Sequence, residues 1–280
     1  MSTIEAARAV LYTELARPPL VSELARLVVE KSPPSRVSLS TSGVLQAKLE
    51  TSRSLEELEG VLSELFTRDI ATVLDYLHRE LGCLPGEHAE YFRVLLEASE
   101  LELLYSKLAS RSPEEKPLKY TRVEDCSECA SRAGFDCVVL RYIARLREKC
   151  LETREDCERA LIVAALLGTL YYTRYLANLR RLGLGEGASL KQLVSSITER
   201  FAPHGLVYFE PSLARVLGAS ERGGDSVEAW CSGVLALYEE AKSLLYYTNK
   251  LVDLLTLYGV DRLLRYRLLR ALYSRWLRPW

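Results

Sequence analysis

The chain has 280 residues, with 37 Lys and Arg set against 38 Asp and Glu, for a formal net charge of −1. Apolar residues make up 48%, enough to bury a sizeable core. That excludes global disorder, and the balanced charge excludes a whole-surface attraction to nucleic acid or membrane. The apolar runs fall short of the ~20 residues a bilayer span requires, and the opening MSTIEAARAV lacks a secretory leader's apolar stretch, so a cytoplasmic setting is expected.

The predicted elements are helical from end to end. The spacing predicts a first helical segment before Ser32–Gly43, where Pro33, Pro34 and several serines break the pattern. Leu55 to Leu81 reads as a long helix or a close pair, opened by a capping box of Ser54 and Glu57. A break at Cys83–Gly86 precedes a stripe of Val94, Ala98, Leu101, Tyr105 and Leu108. Prolines and charges at Arg111–Pro117 mark a domain boundary. Thr153 and Asp156 predict the start of a helix running to Leu182 and stopping at Gly183. Leu206 to Phe209 is the one stretch with an extended look, and Gly218–Asp225 is a further break. Val234, Tyr238, Ala241, Leu245, Thr248, Val252 and Leu255 form one stripe on a helix expected to end at Gly259, followed by a last helix over Leu263–Leu277. The expectation is an all-α fold with most of the chain in helices, divided into units at 1–115, 116–204 and 205–280.

Catalytic signatures are absent: there is no phosphate-binding loop, no glycine-rich dinucleotide turn, no nucleophile elbow and no HExxH. His78, His88 and His204 lie far apart, and Glu56–Glu57, Glu114–Glu115 and Glu239–Glu240 are neighbours that do not face one another on a helix, so they read as solvated faces or caps. No cofactor is expected. The one chemical cluster is Cys126, Cys129, Cys137, Cys150 and Cys157. Four of these thiols could hold zinc or an iron–sulfur cluster, but the second half lacks the paired C-x₂-C knuckle. Disulfides or buried free thiols are the alternatives. One Met, few amides and abundant Arg match a hyperthermophile composition, and hyperthermophile cytosols tolerate disulfides. Cys150 would end one helix and Cys157 begin the next, so they are expected to bridge a helical hairpin, with Cys137 pairing to Cys126 or Cys129.

From Arg262 to Arg278 there are six arginines and no acid, interleaved with Tyr266, Tyr273 and Trp276. The readings are a helix for nucleic acid or a membrane surface, or a packing helix whose basic side meets acidic groups within the chain or on a partner. Packing or partner contact is favoured, with Arg265, Arg267 and Arg270 as the candidate contact residues if that face is exposed.

Several stretches resemble the C subunit of the archaeal A-type and bacterial V/A-type ATP synthase, which is similar to the d subunit of the eukaryotic V-ATPase. AARAVLYTELARPPLVSELARL resembles the family's opening helices. HAEYFRVLLEASELELLYSKLASR resembles the helix closing its first repeat, with Tyr91, Leu101, Leu104 and Lys107 in place. GTLYYTRYLANLRRLG resembles a second-repeat helix. Gly205, Leu206, Pro211, Leu213, Ala214, Leu217 and Ala219 follow the spacing of a connector. The resemblance implies three stacked helical repeats forming a funnel-like socket with no active site of its own. Its partners would be the D and F stalk subunits on one side and the membrane rotor ring on the other, with no nucleic acid. The alternative is a cysteine-cluster metal-binding protein of nucleic-acid metabolism, with Cys126, Cys129, Cys137 and Cys150 as ligands.

Overall fold

The computed structural model describes residues 3–37, 43–110, 118–121, 129, 134–181, 190–201, 209–221 and 227–277. Among them every regular element is helical. In chain order these are α1 (Thr3–Leu15), α2 (Val21–Val29), α3 (Gly43–Thr51), α4 (Leu55–Asp75), α5 (Gly86–Leu96), α6 (Leu101–Ser110), α7 (Phe135–Glu152), α8 (Glu158–Arg181), α9 (Leu190–Phe201), α10 (Phe209–Glu221), α11 (Val227–Leu245) and α12 (Leu251–Ser274). Short 3₁₀ turns occupy Pro34–Arg36 and Glu97–Glu100, and a π turn, Tyr76–Glu80, continues α4.

The last helix is the centre of the molecule. In α12, 20 of 24 residues are buried. A helix buried on all sides must be surrounded rather than laid on a surface. Helices α1, α2, α4, α5, α8 and α11 all pack against it, so segments expected to form the first and third units share one core. Gly259 shows how tightly they meet. A Cβ there would lie 2.6 Å from Leu95 Cδ2 and 3.0 Å from Phe92 Cε2, so the glycine lets α5 come close to α12. Phe92 stacks on Tyr258 at 5.8 Å beside this contact.

The expected boundaries differ in informative ways. The stripe from Val234 to Leu255 is two helices, broken at 246–250, because Thr248 and Lys250 fold into a turn: the Thr248 hydroxyl accepts the Lys250 N–H at 3.1 Å and donates to Asp253 at 2.8 Å. Gly259 is therefore interior to α12 and not its end. The stripe from Val94 to Leu108 is interrupted by the Glu97–Glu100 turn. At α4 the Ser54 hydroxyl accepts the Glu57 N–H at 3.1 Å, and the Glu57 carboxylate accepts the Arg53 N–H at 2.8 Å. Helix α8 starts at Glu158, whose N–H goes to Asp156 at 3.1 Å, a turn later than the Thr153 start expected. Phe209 opens helix α10; the rest of the stretch read as extended, the boundaries at 112–117 and 205, and Gly183 lie outside the described residues.

Candidate functional site

Charge in this interior gathers at helix ends. The hairpin of α7 and α8 turns through Thr153 and Arg154, with Arg154 in the left-handed conformation (φ 61°) that closes many helices. Cys150 and Cys157 flank this turn with Cα atoms 6.1 Å apart and form a disulfide. The clamp holds Glu155 against the start of α12, where its carboxylate accepts the Leu251 N–H at 3.3 Å and the Val252 N–H at 2.9 Å. These are two of the four donors that a helix start leaves without an intrahelical partner. His88, buried on α5, meets the same carboxylate through Nε2 at 3.2 Å. Burial works to raise the Glu155 carboxyl. The His88 contact and the two backbone donors outweigh it and hold the group below its ordinary value. Asp156 next to it pairs with Lys250 at 2.5 Å. A second disulfide joins Cys129 to Cys137, near the start of α7, with Cα atoms 5.6 Å apart.

Guanidinium groups do the complementary work at helix C-termini. Arg262 Nη2 donates to the Glu14 carbonyl at 2.9 Å, and Arg265 donates to the carbonyls of Leu15 (3.1 Å) and Arg17 (2.5 Å). Together they satisfy the end of α1, where a cation also matches the helix dipole. Further along, Arg275 donates to the Val28 carbonyl at the end of α2. Carboxylates match the buried cations: Arg262 reaches Glu14 at 3.0 Å and Asp69 at 3.1 Å, and Arg265 Nε reaches Asp261 at 2.7 Å. Asp261 is fully buried; desolvation pushes its carboxyl above the ordinary range despite the pull of Arg265 and Arg262. Arg267 lies over the Tyr171 ring at 4.7 Å and meets Glu102 at 3.5 Å, while Arg270 pairs with Glu59 at 2.6 Å.

These positions agree with the favoured packing helix, whose basic side meets acidic groups within the chain, and the exposure on which a partner contact through Arg265, Arg267 and Arg270 depended is small. Arg265 and Arg267 have side chains 6% and 8% exposed, and Arg270 is half-buried against Glu59. In the folded chain they serve its own interior, because an arginine on an all-round buried helix must find carboxylates and carbonyls there. The acidic pairs change too: Glu240 is not solvated but buried, accepting from Ser212 at 2.5 Å and from Arg215 Nε at 2.8 Å. His88 sits in α5; His204 lies outside the described residues.

The expected cysteine partners of the α7–α8 hairpin do pair, and Cys137 pairs with Cys129; Cys126 lies outside the described residues. Sulfurs committed to disulfides are not thiolate ligands, so Cys129, Cys137 and Cys150 cannot serve as the metal set while bridged. Cys83 and Cys231 are free and buried, and burial pushes the Cys231 thiol up to about 12.

Above the Arg262–Arg265 network lies a cleft with about 60 Å³ of internal space. Pro18 and Pro19 of the α1–α2 turn line it together with Leu62, Leu65, Phe66 and Asp69 of α4 and Arg262, Arg265, Tyr266 and Leu269 of α12. The turn from α1 to α2, with its cis Pro18–Pro19 bond, forms the mouth together with Arg17. Sequence reading missed this place. The one local signal was the Asp261–Arg265 pair at i,i+4 spacing; Glu14 and Asp69 join through contacts far apart in sequence. No family model, no curated protein and no solved structure matches the chain.

Proposed function

We propose that the chain is a non-catalytic helical adaptor, the central-stalk element that seats the D and F stalk of a rotary A/V-type ATP synthase on the membrane rotor ring during ion transport. The sequence resemblance motivates this reading, and one structural observation supports it. Exposed apolar side chains stand at both ends of α12. At its start are Tyr247, 92% exposed, and Leu151 beside the disulfide turn, 60% exposed. At its finish are Trp276, 52% exposed, and Val29, 41% exposed. A helix of 24 residues separates such ends by about 36 Å. Two sticky ends on one braced body suit a part that joins two others, and apolar contact there would hold while surface charge orients. The close-packed core around α12 suits the transmission of torque with little deformation.

In this reading three stacked repeats form the socket, ATP chemistry belongs to other components of the complex, and membrane attachment runs through the ring. No helix among the described residues is long and apolar enough to cross a membrane. Co-purification with the D and F stalk subunits, and with the ring, tests the proposal. Association is expected to weaken in Tyr247→Glu or Trp276→Glu. Failure to associate with either partner would overturn it, as would near-stoichiometric zinc or iron together with DNA binding of steep salt dependence.

A further inference from the structure

We propose that the cleft at the turn between α1 and α2 is a binding site for a small branched aliphatic carboxylate, with Arg17 holding the carboxylate and the apolar walls holding the alkyl group. The chemistry follows from which of its charges are already used. Arg262 is engaged by Glu14 and Asp69, and Arg265 by Asp261 and two α1 carbonyls. Asp69, in turn, is committed to Arg262. Arg17 is different: its side chain is 42% exposed, and its Nη1 reaches both Glu14 oxygens only at 3.4 Å. Glu14 makes its closer contact with Arg262, at 3.0 Å. Arg17 is thus the cation of the mouth whose partner is shared and distant, and a guanidinium offers a carboxylate two parallel donors.

The apolar part of the lining is Pro18, Pro19, Leu62, Leu65, Phe66 and Leu269, and Asp69, Arg262, Arg265 and Tyr266 complete it. The two prolines present no backbone N–H, so that wall is apolar without an unmet donor. The free volume sets the size. About 60 Å³ has room for roughly four water-sized groups, the bulk of a short branched alkyl chain and far less than a nucleotide or a fatty acid.

The probe is isovalerate, followed by saturation-transfer NMR on the intact chain at fixed pH and ionic strength. Saturable binding is expected, with acetate (the head alone) and 3-methylbutanol (the body alone) each about tenfold weaker. Arg17→Gln removes the head contact, gives up only the 3.4 Å pairing with Glu14 and leaves the closer Arg262–Glu14 contact at 3.0 Å in place; it is expected to weaken isovalerate about tenfold while leaving 3-methylbutanol unchanged. Leu65→Phe fills the cleft and is expected to weaken both. If Leu65→Phe fails to fold, Arg17→Gln, which changes a half-exposed side chain, still decides. The absence of saturable isovalerate binding to the wild-type chain, or equal binding by wild type and Arg17→Gln, would overturn the proposal.

Discussion

The two halves of α12 solve one problem with opposite charges. At its start the helix receives: Glu155, brought by a disulfide-clamped turn, closes the free N–H groups of Leu251 and Val252. In its second half the helix gives: Arg262, Arg265 and Arg275 close the free carbonyls of α1 and α2. Each sign sits where the helix dipole favours it. The difference lies in the cost. A carboxylate at the rim of the fold remains partly hydrated, with Glu155 21% exposed, whereas Arg262 and Arg265 are 6% exposed and need Asp261, Asp69 and Glu14 beside them. Buried charge is tolerable only as a complete set, so the second half should be the more fragile of the two.

The sharpest way to break that comparison is Arg265→Met. It takes the nearest cation from the buried Asp261 carboxylate, leaving Arg262 at 3.8 Å, and removes the guanidinium donor from the Leu15 and Arg17 carbonyls, and a destabilisation of about 3–5 kcal/mol is expected by guanidinium unfolding. Arg265→Glu combined with Arg267→Glu should prevent folding, where an exposed face would have tolerated the change. A loss below about 1 kcal/mol for Arg265→Met would mean that this network contributes little and that the two halves do not differ.

Opening the clamp probes the other half. Replacing Cys150 and Cys157 together by Ser releases a short loop, and the loop-closure entropy model puts the loss at about 2–3 kcal/mol. Thiol counting under denaturing, non-reducing conditions gives the direct check. Two disulfides leave Cys83, Cys231 and whatever state Cys126 holds, so a count of seven free thiols would remove the clamp from the argument.

The helical class and the α7–α8 bridge were legible because both are local: apolar spacing repeats within a few turns, and Cys150 and Cys157 lie either side of one hairpin. The role of α12 was hidden because the signals conflicted. Six arginines from Arg262 onward fit a nucleic-acid or membrane-surface helix as well as a packing helix, and only the positions of Glu14, Glu59, Asp69 and Glu102, up to a few hundred residues away in sequence, make that charge interior. Gly259 misled for a related reason. A glycine after an apolar stripe suggests a helix end, yet here its missing side chain admits Leu95 and Phe92 of another helix. The cleft joins the α1–α2 turn, α4 and α12, which no local window contains.

Glu155→Gln sharpens the account of the first half. The amide keeps an acceptor for one backbone donor but loses the charge, and a cost of about 1–2 kcal/mol at neutral pH is expected. The sign with pH is fixed by the lowered carboxyl. Its stabilisation is whole above the unfolded value of about 4.5 and is lost as the pH falls through the lower folded value. Denaturant midpoints should therefore converge for wild type and variant as the solution is acidified through that window. A gap that stayed constant would show that Glu155 acts by shape and not by charge.

Asp253 carries the smallest effect and the finest test, because it directly follows the two residues, Leu251 and Val252, whose N–H groups Glu155 closes and yet shifts the other way. It is fully buried; Oδ2 accepts from Thr248 at 2.8 Å, while Oδ1 has no hydrogen-bond partner. Desolvation raises its carboxyl above the ordinary value, Thr248 and the cations Lys250 and Arg159 pull it down, and Glu155 adds to the rise. With the folded value above the unfolded 3.8, the favourable contribution belongs to the protonated form. It is full below about pH 3.8 and is lost as the pH rises through the folded value. At neutral pH the ionised group is then a cost, offset in part by its place in the first turn of α12. Asp253→Asn retains an acceptor for Thr248 and removes the buried charge. The variant should match or exceed wild type by about 0.5–1 kcal/mol at pH 7 and fall behind it near pH 3, read as a crossing of urea midpoints. Parallel midpoints across that range would place both carboxylates under one rule, and the contrast between a carboxylate that meets backbone donors and one that does not would fail at this end of the helix.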